Sequence, residues 1–352
     1  MTKAKTNPGN YFEDFKVGAV IKHATPRTIT EGEVALYTAL YGTRFAVQSS
    51  AAFAKSIGYP SAPLDDLLVF HIVFGKTVPD VSLNAVANLG YAECLFHAPL
   101  YVGITLRTES EVIGVKQNSN GKTGTVYVRS KGYDETGNVV LEFVRWVMVR
   151  KKDPASPAPE PVVPELSKVV NTDQIGHALP SLDSKGYDLD LAGAPDLWDD
   201  YEVGEKIDHV DGMTVEEAEH QLATRLFQNT AKVHFNQHTE GQGRFGRRLI
   251  YGGMVISLAR ALSFNGLANA FHLAAINAGS HVAPLFAGDT VYAWSEILDK
   301  KVIPGRSDIG ALRTRLVATK DLPCDGFPHK GPDGAYEPGV ILDIDLWLII
   351  PR

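Results

Sequence analysis

The sequence is poor in the features that identify metal, disulfide and membrane proteins. Its 352 residues include two cysteines, Cys94 and Cys324, and its histidines and cysteines show no metal-ligand spacing. Two cysteines make neither a disulfide framework nor a zinc site, so we expect no bound metal and a reducing cytoplasm. No run of 18 apolar residues occurs, and no apolar segment follows the basic start, which argues against a membrane span and a secretory signal.

Signals for nucleotide and nucleic-acid binding are missing as well. The chain has neither a P-loop nor a glycine-rich dinucleotide fingerprint. Its formal net charge of −7 disfavours a nucleic-acid partner. The length predicts about two domains of an ordinary globular protein.

A proline-rich stretch divides the chain. Residues 151–164 contain five prolines, which excludes a helix or a central strand and predicts an extended linker. We therefore predict an N-terminal domain over 1–150, a linker over 151–195 and a C-terminal domain over 196–352.

The two predicted domains repeat one another. Three segments of the first half recur in the same order in the second, at offsets of 186, 185 and 201 residues: Phe15–His23 as Tyr201–His209, His97–Leu106 as Val282–Val291, and Leu141, Glu142 and Trp146 as Leu342, Asp343 and Trp347. The larger last offset predicts an insertion over Asp321–Pro338. Three ordered matches indicate a tandem duplication.

Each half shows the same predicted order of elements. A short strand is followed by a helix with a capping-box pattern, then an apolar helix, then three or four strands. The predicted positions are Val17–Ala24 and Val203–Val210 for the first strands, Thr30–Glu33 and Thr214–Glu217 for the capping boxes, Leu67–Phe74 and Met254–Leu262 for the apolar helices, and Leu100–Val115, Thr123–Tyr133 and Val139–Arg150 for later strands. This order predicts an α+β fold in which each antiparallel sheet wraps a central helix.

Residues with the potential for chemistry concentrate in Leu226–Asn236 and Arg247–Val255. His234 follows Asn229 by five residues, and Gly252-Gly253 stand at the start of an apolar run. A helix beginning at these glycines would present free N–H groups and a positive dipole end to an oxyanion. A base beside such a site suits the addition of water to an unsaturated thioester. The alternative is a core histidine in a helix–loop–helix element.

Several segments resemble a known family: Tyr37–Ser49, Tyr59–Asp66, Phe227–Asn236 and Pro284–Thr290. They are similar to MaoC-type hydratases of the hotdog fold, present twice as in the hydratase 2 enzymes, and within these to the mesaconyl-CoA hydratase (β-methylmalyl-CoA dehydratase) subfamily. The resemblance implies a tandem (double) hotdog fold and a hydro-lyase that interconverts 2-methylfumaryl-CoA (mesaconyl-CoA) and β-methylmalyl-CoA. It implies no cofactor, because coenzyme A is part of the substrate.

The sequence departs from the family motif, Gly-Asp-x-Asn-Pro-(aliphatic)-His, whose Asp and His share the catalytic water. Gln228 replaces the glycine and Asn229 replaces the Asp, while the histidine is kept as His234. An amide cannot accept a proton, so the acid is left unassigned. Thr43 and Gln48 replace the Asp and His in the first half. We therefore expect one active site per chain, with the other half given over to the acyl-CoA channel.

The predicted mechanism uses the residues that remain. His234, near its ordinary pKa and so mostly neutral at pH 7, takes a proton from water that Asn229 orients. Backbone N–H groups near Gly253 stabilise the enolate oxygen. The proton for the α-carbon comes from His234 or from a second acid, for which Glu240 and His238 are candidates.

Cationic residues predict a substrate with a second carboxylate. Lys232 replaces the motif proline, Arg44 lies beside the matching first-half position, and Arg225 precedes Asn229 by one turn. The further substrate-binding candidates are Tyr251, Gly252, Arg247, Arg248 and Asp66, of which the arginines could meet the phosphates of coenzyme A. The simpler alternatives are that these cations reach solvent and that Asp65-Asp66 form a solvated helix cap.

Three functions from different classes stay open at this point. The first is hydration of an enoyl-CoA, either dicarboxylic, as the resemblance implies, or with a plain alkyl chain. The second is a hotdog thioesterase, and the third is a non-catalytic acyl-CoA-binding module. The expected partners are an acyl-CoA and further copies of the chain, as a dimer or higher homo-oligomer.

Overall fold

The structure is a computed structural model that describes residues 5–352. The strands are β1 (Val20–Thr28), β2 (Ala85–Phe96), β3 (Thr105–Gln117), β4 (Thr123–Tyr133), β5 (Val139–Arg150), β6 (Lys206–Asp208), β7 (Met213–Thr214), β8 (His272–His281), β9 (Thr290–Val302), β10 (Ile309–Lys320) and β11 (Val340–Pro351). The helices are α1 (Glu31–Tyr41), α2 (Ala46–Ser49), α3 (Ala51–Ser56), α4 (Asp66–Thr77), α5 (Leu189–Ala192), α6 (Glu217–Leu226), α7 (Lys232–Phe235), α8 (Gln237–Glu240), α9 (Gly252–Leu262) and α10 (Phe264–Leu267).

The strands form one antiparallel sheet that runs through both halves. The order is β1-β3-β4-β5-β2-β8-β11-β10-β9-β6, with β7 also paired to β9. The halves join where β2 pairs with β8, with Tyr91 opposite Gly279 and Leu95 opposite Ala275. The two repeats therefore share one antiparallel sheet, which is compatible with the predicted α+β class.

A central helix packs against the sheet in each half. Every residue of α4 is buried, and the helix is mostly apolar on all sides, as expected of a helix at the centre of a core. The two central helices meet at equivalent positions of the repeat, where Nε2 of His71 lies 2.8 Å from Oγ of Ser257. The hydroxyl of Tyr37 donates to the same Ser257 Oγ at 3.0 Å. A polar contact thus links the helices at the centre of the molecule.

Most predicted elements are present near their predicted positions. Strands β4 and β5 have the predicted bounds, and Asp321–Pro338 lies in the connection between β10 and β11. The first capping box is confirmed, because the Thr30 N–H donates to the Glu33 carboxylate at 2.9 Å. The second is wrong by two residues: Thr214 belongs to β7, and Glu216 precedes α6 as its N-cap.

The proline-rich segment is extended, but it is docked onto the domains it connects. Val162 forms an antiparallel bridge with Val115. Further along, Val170, Ile175 and Leu179 are buried in a cluster with Trp347. A segment with regularly spaced apolar residues can cover a sheet face without forming a helix or strand of its own.

Two classes of feature are absent from the part of the chain that the structure describes. No helix in residues 5–352 is long and apolar enough to cross a membrane. The same residues contain no group of three or more His, Cys, Asp or Glu side chains placed to hold a metal ion.

Candidate active site

The motif segment begins with a sharp turn after α6. Gln228 has φ of 53°, in the left-handed region, and its counterpart in the first half is Gly42, with φ of 62°. This conformation explains why the family motif has glycine here. The Asn229 N–H then donates to the Thr224 carbonyl at 2.9 Å, which ends the helix.

The Asn229 side chain is buried inside this turn. Its Oδ1 accepts a hydrogen bond from the Ala231 N–H at 3.2 Å, just ahead of α7. Its Nδ2 donates to no acceptor within residues 5–352. The amide therefore holds the turn with its oxygen and keeps two N–H donors for a ligand or a water molecule.

His234 on α7 has one ring nitrogen bonded to the backbone. Its Nδ1 lies 2.8 Å from the Leu249 carbonyl oxygen, and a carbonyl only accepts, so we assign the proton to Nδ1. The other nitrogen, Nε2, then carries a lone pair and has no protein partner among the described residues. Burial lowers the pKa of His234 to about 4, which corrects the expectation of an ordinary value. The ring is neutral at pH 7 in either case.

Two rings pack around His234. Ring centroids lie 5.6 Å apart for His234 and Tyr251 and 6.2 Å apart for His234 and His220. The backbone N–H of Tyr251 donates to Nε2 of His220 at 3.0 Å, so His220 accepts at that atom. Burial, and then the nearby His234, lower the pKa of His220 to about 3. The hydrogen bond to His220 therefore holds the backbone at Tyr251 in place, just before α9.

The start of α9 is open, as an oxyanion site requires. Tyr251 occupies the N-cap position and makes no side-chain capping bond, so the N–H groups of Gly252 and Gly253 have no capping partner. The matching helix α4 differs, because Asp65 accepts from the Leu67 N–H at 2.9 Å. The free N–H groups are therefore found in the half that carries His234.

The motif side chains of the first half are engaged in internal bonds. Nε2 of Gln48 donates to the Phe271 carbonyl oxygen at 2.7 Å, and the Thr43 hydroxyl lies 3.5 Å from Asp65. Burial, followed by the charge of Asp66, raises the pKa of Asp65 to about 6. The expectation of a helix cap is met at Asp65, but Asp65 is half-buried and Asp66 is buried, so the pair is not a solvated cap. These bonds leave no free base at this motif.

A cavity beside the second-half motif contains one of the predicted cations. Arg225 lines a space of about 380 Å³ together with Lys76, Gln228 and Thr230, and the lining includes no carboxylate. Nζ of Lys76 donates to the side chains of Gln228 at 2.5 Å and Thr25 at 3.3 Å. Burial, and then Arg27, lower the pKa of Lys76. Lys76 is thus a buried cation without an acidic partner among residues 5–352.

The other predicted cations are dispersed. Lys232 is exposed on α7, and the guanidinium of Arg247 lies 4.1 Å from the ring centroid of Phe286. Arg248 donates to Glu217 and Gln221 on α6, so its charge is already paired. Glu240 ends the short helix α8 and is partly buried.

Arg44 and Asp66 do not lie beside His234. Arg44 stacks over Phe264, beyond the C-terminal end of α9, whereas His234 lies at its N-terminal end. Eleven helical residues separate these ends by about 16 Å. Asp66 accepts from the Leu273 N–H at 2.8 Å and pairs with His272 at 3.0 Å. Each half's motif folds against the start of its own central helix, which keeps the two sets of residues apart.

Sequence reasoning missed three residues near this site. Lys76 stands at the end of an otherwise apolar helix, a pattern that signals a buried charge. His281 matches Phe96 in the repeat, so comparing the two halves position by position would have found it. No local signal marks His220, whose role depends on a contact with Tyr251, 31 residues away.

The chain matches known proteins over nearly its whole length. The family model described as mesaconyl-CoA hydratase matches residues 1–323. The β-methylmalyl-CoA dehydratase of Chloroflexus aurantiacus is 64% identical over 350 residues, which cover 99% of each chain. The mesaconyl-CoA hydratase of Cereibacter sphaeroides is 58% identical over 351 residues, covering 99% of this chain and 100% of that one.

Solved structures agree with this assignment of fold. A MaoC domain protein dehydratase from Chloroflexus aurantiacus has a TM-score of 0.97 at 64% identity, with 99% of each chain covered. A double hotdog protein from Mycobacterium tuberculosis has a TM-score of 0.72 at 26% identity, covering 98% of this chain and 99% of that one. The predicted tandem hotdog fold is confirmed.

Proposed function

The chain belongs to the mesaconyl-CoA hydratase family, and from this membership we propose that it catalyses the reversible hydration of 2-methylfumaryl-CoA (mesaconyl-CoA) to β-methylmalyl-CoA. The observation that carries the proposal is the 64% and 58% identity, over whole chains, to relatives named for the two directions of this reaction. The chain is thus a hydro-lyase that acts on a coenzyme A thioester.

The geometry supports a mechanism centred on His234. Its free Nε2 accepts a proton from water as the water oxygen bonds to the β-carbon. The electron pair of the double bond moves toward the thioester oxygen, where the N–H groups of Gly252 and Gly253 stabilise the enolate. The α-carbon then takes up a proton, either directly from His234 or from a second acid that His234 reprotonates, so that one water molecule has been added and His234 is neutral again. The free Nδ2 of Asn229 donates to the attacking water.

The cavity beside the motif suits the second carboxylate of the substrate. A buried lysine without a carboxylate partner is costly, and an anionic ligand would offset that cost. Lys76 and Arg225 line the same space, next to the turn that carries Asn229. A charge-assisted contact there is worth about 1.5–3 kcal/mol, or about ten- to a hundredfold in selectivity.

Substrate comparison tests this proposal. We expect kcat/KM for mesaconyl-CoA to exceed that for crotonyl-CoA, and the preference to fall in Lys76→Met and Arg225→Met. Lys232→Met tests the exposed cation in the same way. Arg44→Met is the matched control, because Arg44 lies over Phe264 and should leave the preference unchanged. Equal turnover of crotonyl-CoA by the unmodified enzyme would exclude a carboxylate-binding cavity.

One assay separates the hydratase from the thioesterase. A hydratase removes the enoyl-thioester absorbance without releasing a thiol, whereas a thioesterase releases free coenzyme A. We expect the first result, because the motif position that would supply a carboxylate nucleophile or base holds Asn229. Free thiol produced at the rate of absorbance loss would favour the thioesterase.

Location and assembly are part of the same proposal. Both cysteines are free and buried, which agrees with the cytoplasm we propose. A homo-oligomer stays a prediction. Light scattering during size-exclusion chromatography would measure the mass of the assembly and so test it.

A further inference from the structure

The second half differs from the first at three positions that meet at the start of its central helix. The capping residue Asp65 is replaced by Tyr251, and the next residue, Asp66, is replaced by Gly252. The last residue of the preceding central strand changes from Phe96 in β2 to His281 in β8. The replacement of Asp65 by Tyr251 leaves backbone N–H groups at the start of α9 without a cap. The other two replacements change the side chains that lie beside these N–H groups.

The His281 ring occupies the space that Gly252 leaves. A Cβ atom at position 252 would lie 2.5 Å from both Cε1 and Nε2 of His281, well inside van der Waals contact. The aspartate of the first half could therefore not coexist with this ring position. Since the first half fills the matching strand position with a buried phenylalanine, packing alone does not require ring nitrogens there.

One nitrogen of His281 is bonded and the other is not. Nε2 lies 3.3 Å from the hydroxyl of Tyr91, which reaches across from the first half. Nδ1 has no partner within residues 5–352. A neutral imidazole that accepts from Tyr91 at Nε2 carries its proton on Nδ1 and can donate it to a ligand.

The surroundings keep His281 uncharged. Burial, and then the nearby His234, lower the pKa of His281 to about 4. Burial also raises the pKa of Tyr91, so the phenol is neutral. A neutral imidazole at a helix N-terminus is a known arrangement for polarising a carbonyl without transferring a proton to it.

We propose that His281 is a further catalytic residue, whose ring N–H donates to the thioester carbonyl oxygen and completes the oxyanion site formed by Gly252 and Gly253. This inference rests on the proposed function, since it assigns a donor to the same enolate. His281 forms and breaks no covalent bond. It contributes a hydrogen bond that strengthens as negative charge develops on the oxygen.

Kinetics of a shape-matched variant give the first test. His281→Phe installs the residue that the repeat already holds at this position, so we expect it to fold. Loss of one oxyanion donor should lower kcat about 100- to 1,000-fold with little change in KM. His281→Asn, which keeps an amide N–H near the Nδ1 position, should recover at least about tenfold over the phenylalanine variant.

Vibrational spectroscopy measures a property of the bound substrate that would not change if His281 served only in packing. In a His234→Gln background, mesaconyl-CoA binds without turnover, and its thioester C=O stretch should lie below the value in free solution. Adding His281→Phe should shift this band back toward the free value. Either an unchanged band or a kcat within threefold of wild type would overturn the inference.

The two proposals fail in different ways. An unmodified enzyme that hydrates neither mesaconyl-CoA nor crotonyl-CoA would overturn the proposed function. An active enzyme whose kcat survives His281→Phe would overturn the role of His281 alone.

Discussion

Gly75 lets the central helix of the first half touch the turn after α6 in the second half, which carries Asn229. A Cβ atom at this position would lie 2.9 Å from the carbonyl carbon of Phe227, and closer still to its oxygen. Carbon contacts are comfortable near 3.5–4.0 Å, so Gly75→Ala must push the two backbones apart by about 1 Å. The obstacle is backbone, so it cannot rotate away as a side chain would.

The size of the effect follows from two opposing terms. Alanine favours a helix over glycine by about 1 kcal/mol, whereas overpacking of this kind costs about 3 kcal/mol. We therefore expect a net loss near 2 kcal/mol and a melting temperature lower by about 3 °C. Displacing Phe227 also displaces Asn229, and about 1 Å of misplacement costs about 100-fold in kcat.

Calorimetry and steady-state hydratase assays measure both effects. Gly326→Ala is the control, because a Cβ there meets no atom within 4 Å. Its melting temperature and kcat should stay at the wild-type values. If Gly75→Ala also has the melting temperature and kcat of wild type, the two halves are not in contact at this turn. The proposed effect of this contact on the position of Asn229 is then refuted.

Three further predictions concern the single active half and the protonation of His234 and Asp65. His234→Ala should lower kcat at least about 100-fold while Gln48→Ala changes it by a few-fold, because Nε2 of His234 is a free base whereas the Gln48 amide donates to the Phe271 carbonyl and cannot take up a proton; equal losses would contradict one site per chain. The wild-type kcat/KM should hold on acidification until the pH nears the His234 pKa of about 4, since the base works only when deprotonated. Asp65→Asn should stabilise the fold above pH 6. The folded-state pKa of Asp65 is about 6, above the ordinary 3.8, so ionisation of Asp65 costs up to about 3 kcal/mol of folding free energy above pH 6. Asparagine avoids this cost, and its stabilising effect should vanish near pH 4, where Asp65 is protonated in the folded protein. Urea unfolding at pH 4 and pH 8 measures this difference, and equal gains at both would show that the charge of Asp65 is not responsible.

The sequence by itself determined the repeat, the class of fold and the motif histidine. Strands β4 and β5 have their predicted bounds because alternating side chains and flanking turns are properties of adjacent residues. Gly252 begins α9 close to the predicted start for the same reason, since a helix begins at a local change of pattern. The shift of the second capping box shows the limit, because β7 pairs Thr214 with Thr290, 76 residues away.

Only the tertiary structure decided which side chains surround the site. It places Lys76 of the first half beside Gln228 of the second, 152 residues away, and Tyr91 beside His281, 190 residues away. It also places Arg44 at the C-terminal end of α9, although the segment of the second half that matches the Arg44 segment carries His234. Contacts of this kind arise from the pairing of β2 with β8 and the packing of two central helices. Because such packing depends on the shape and burial of the whole chain, no local pattern specifies it.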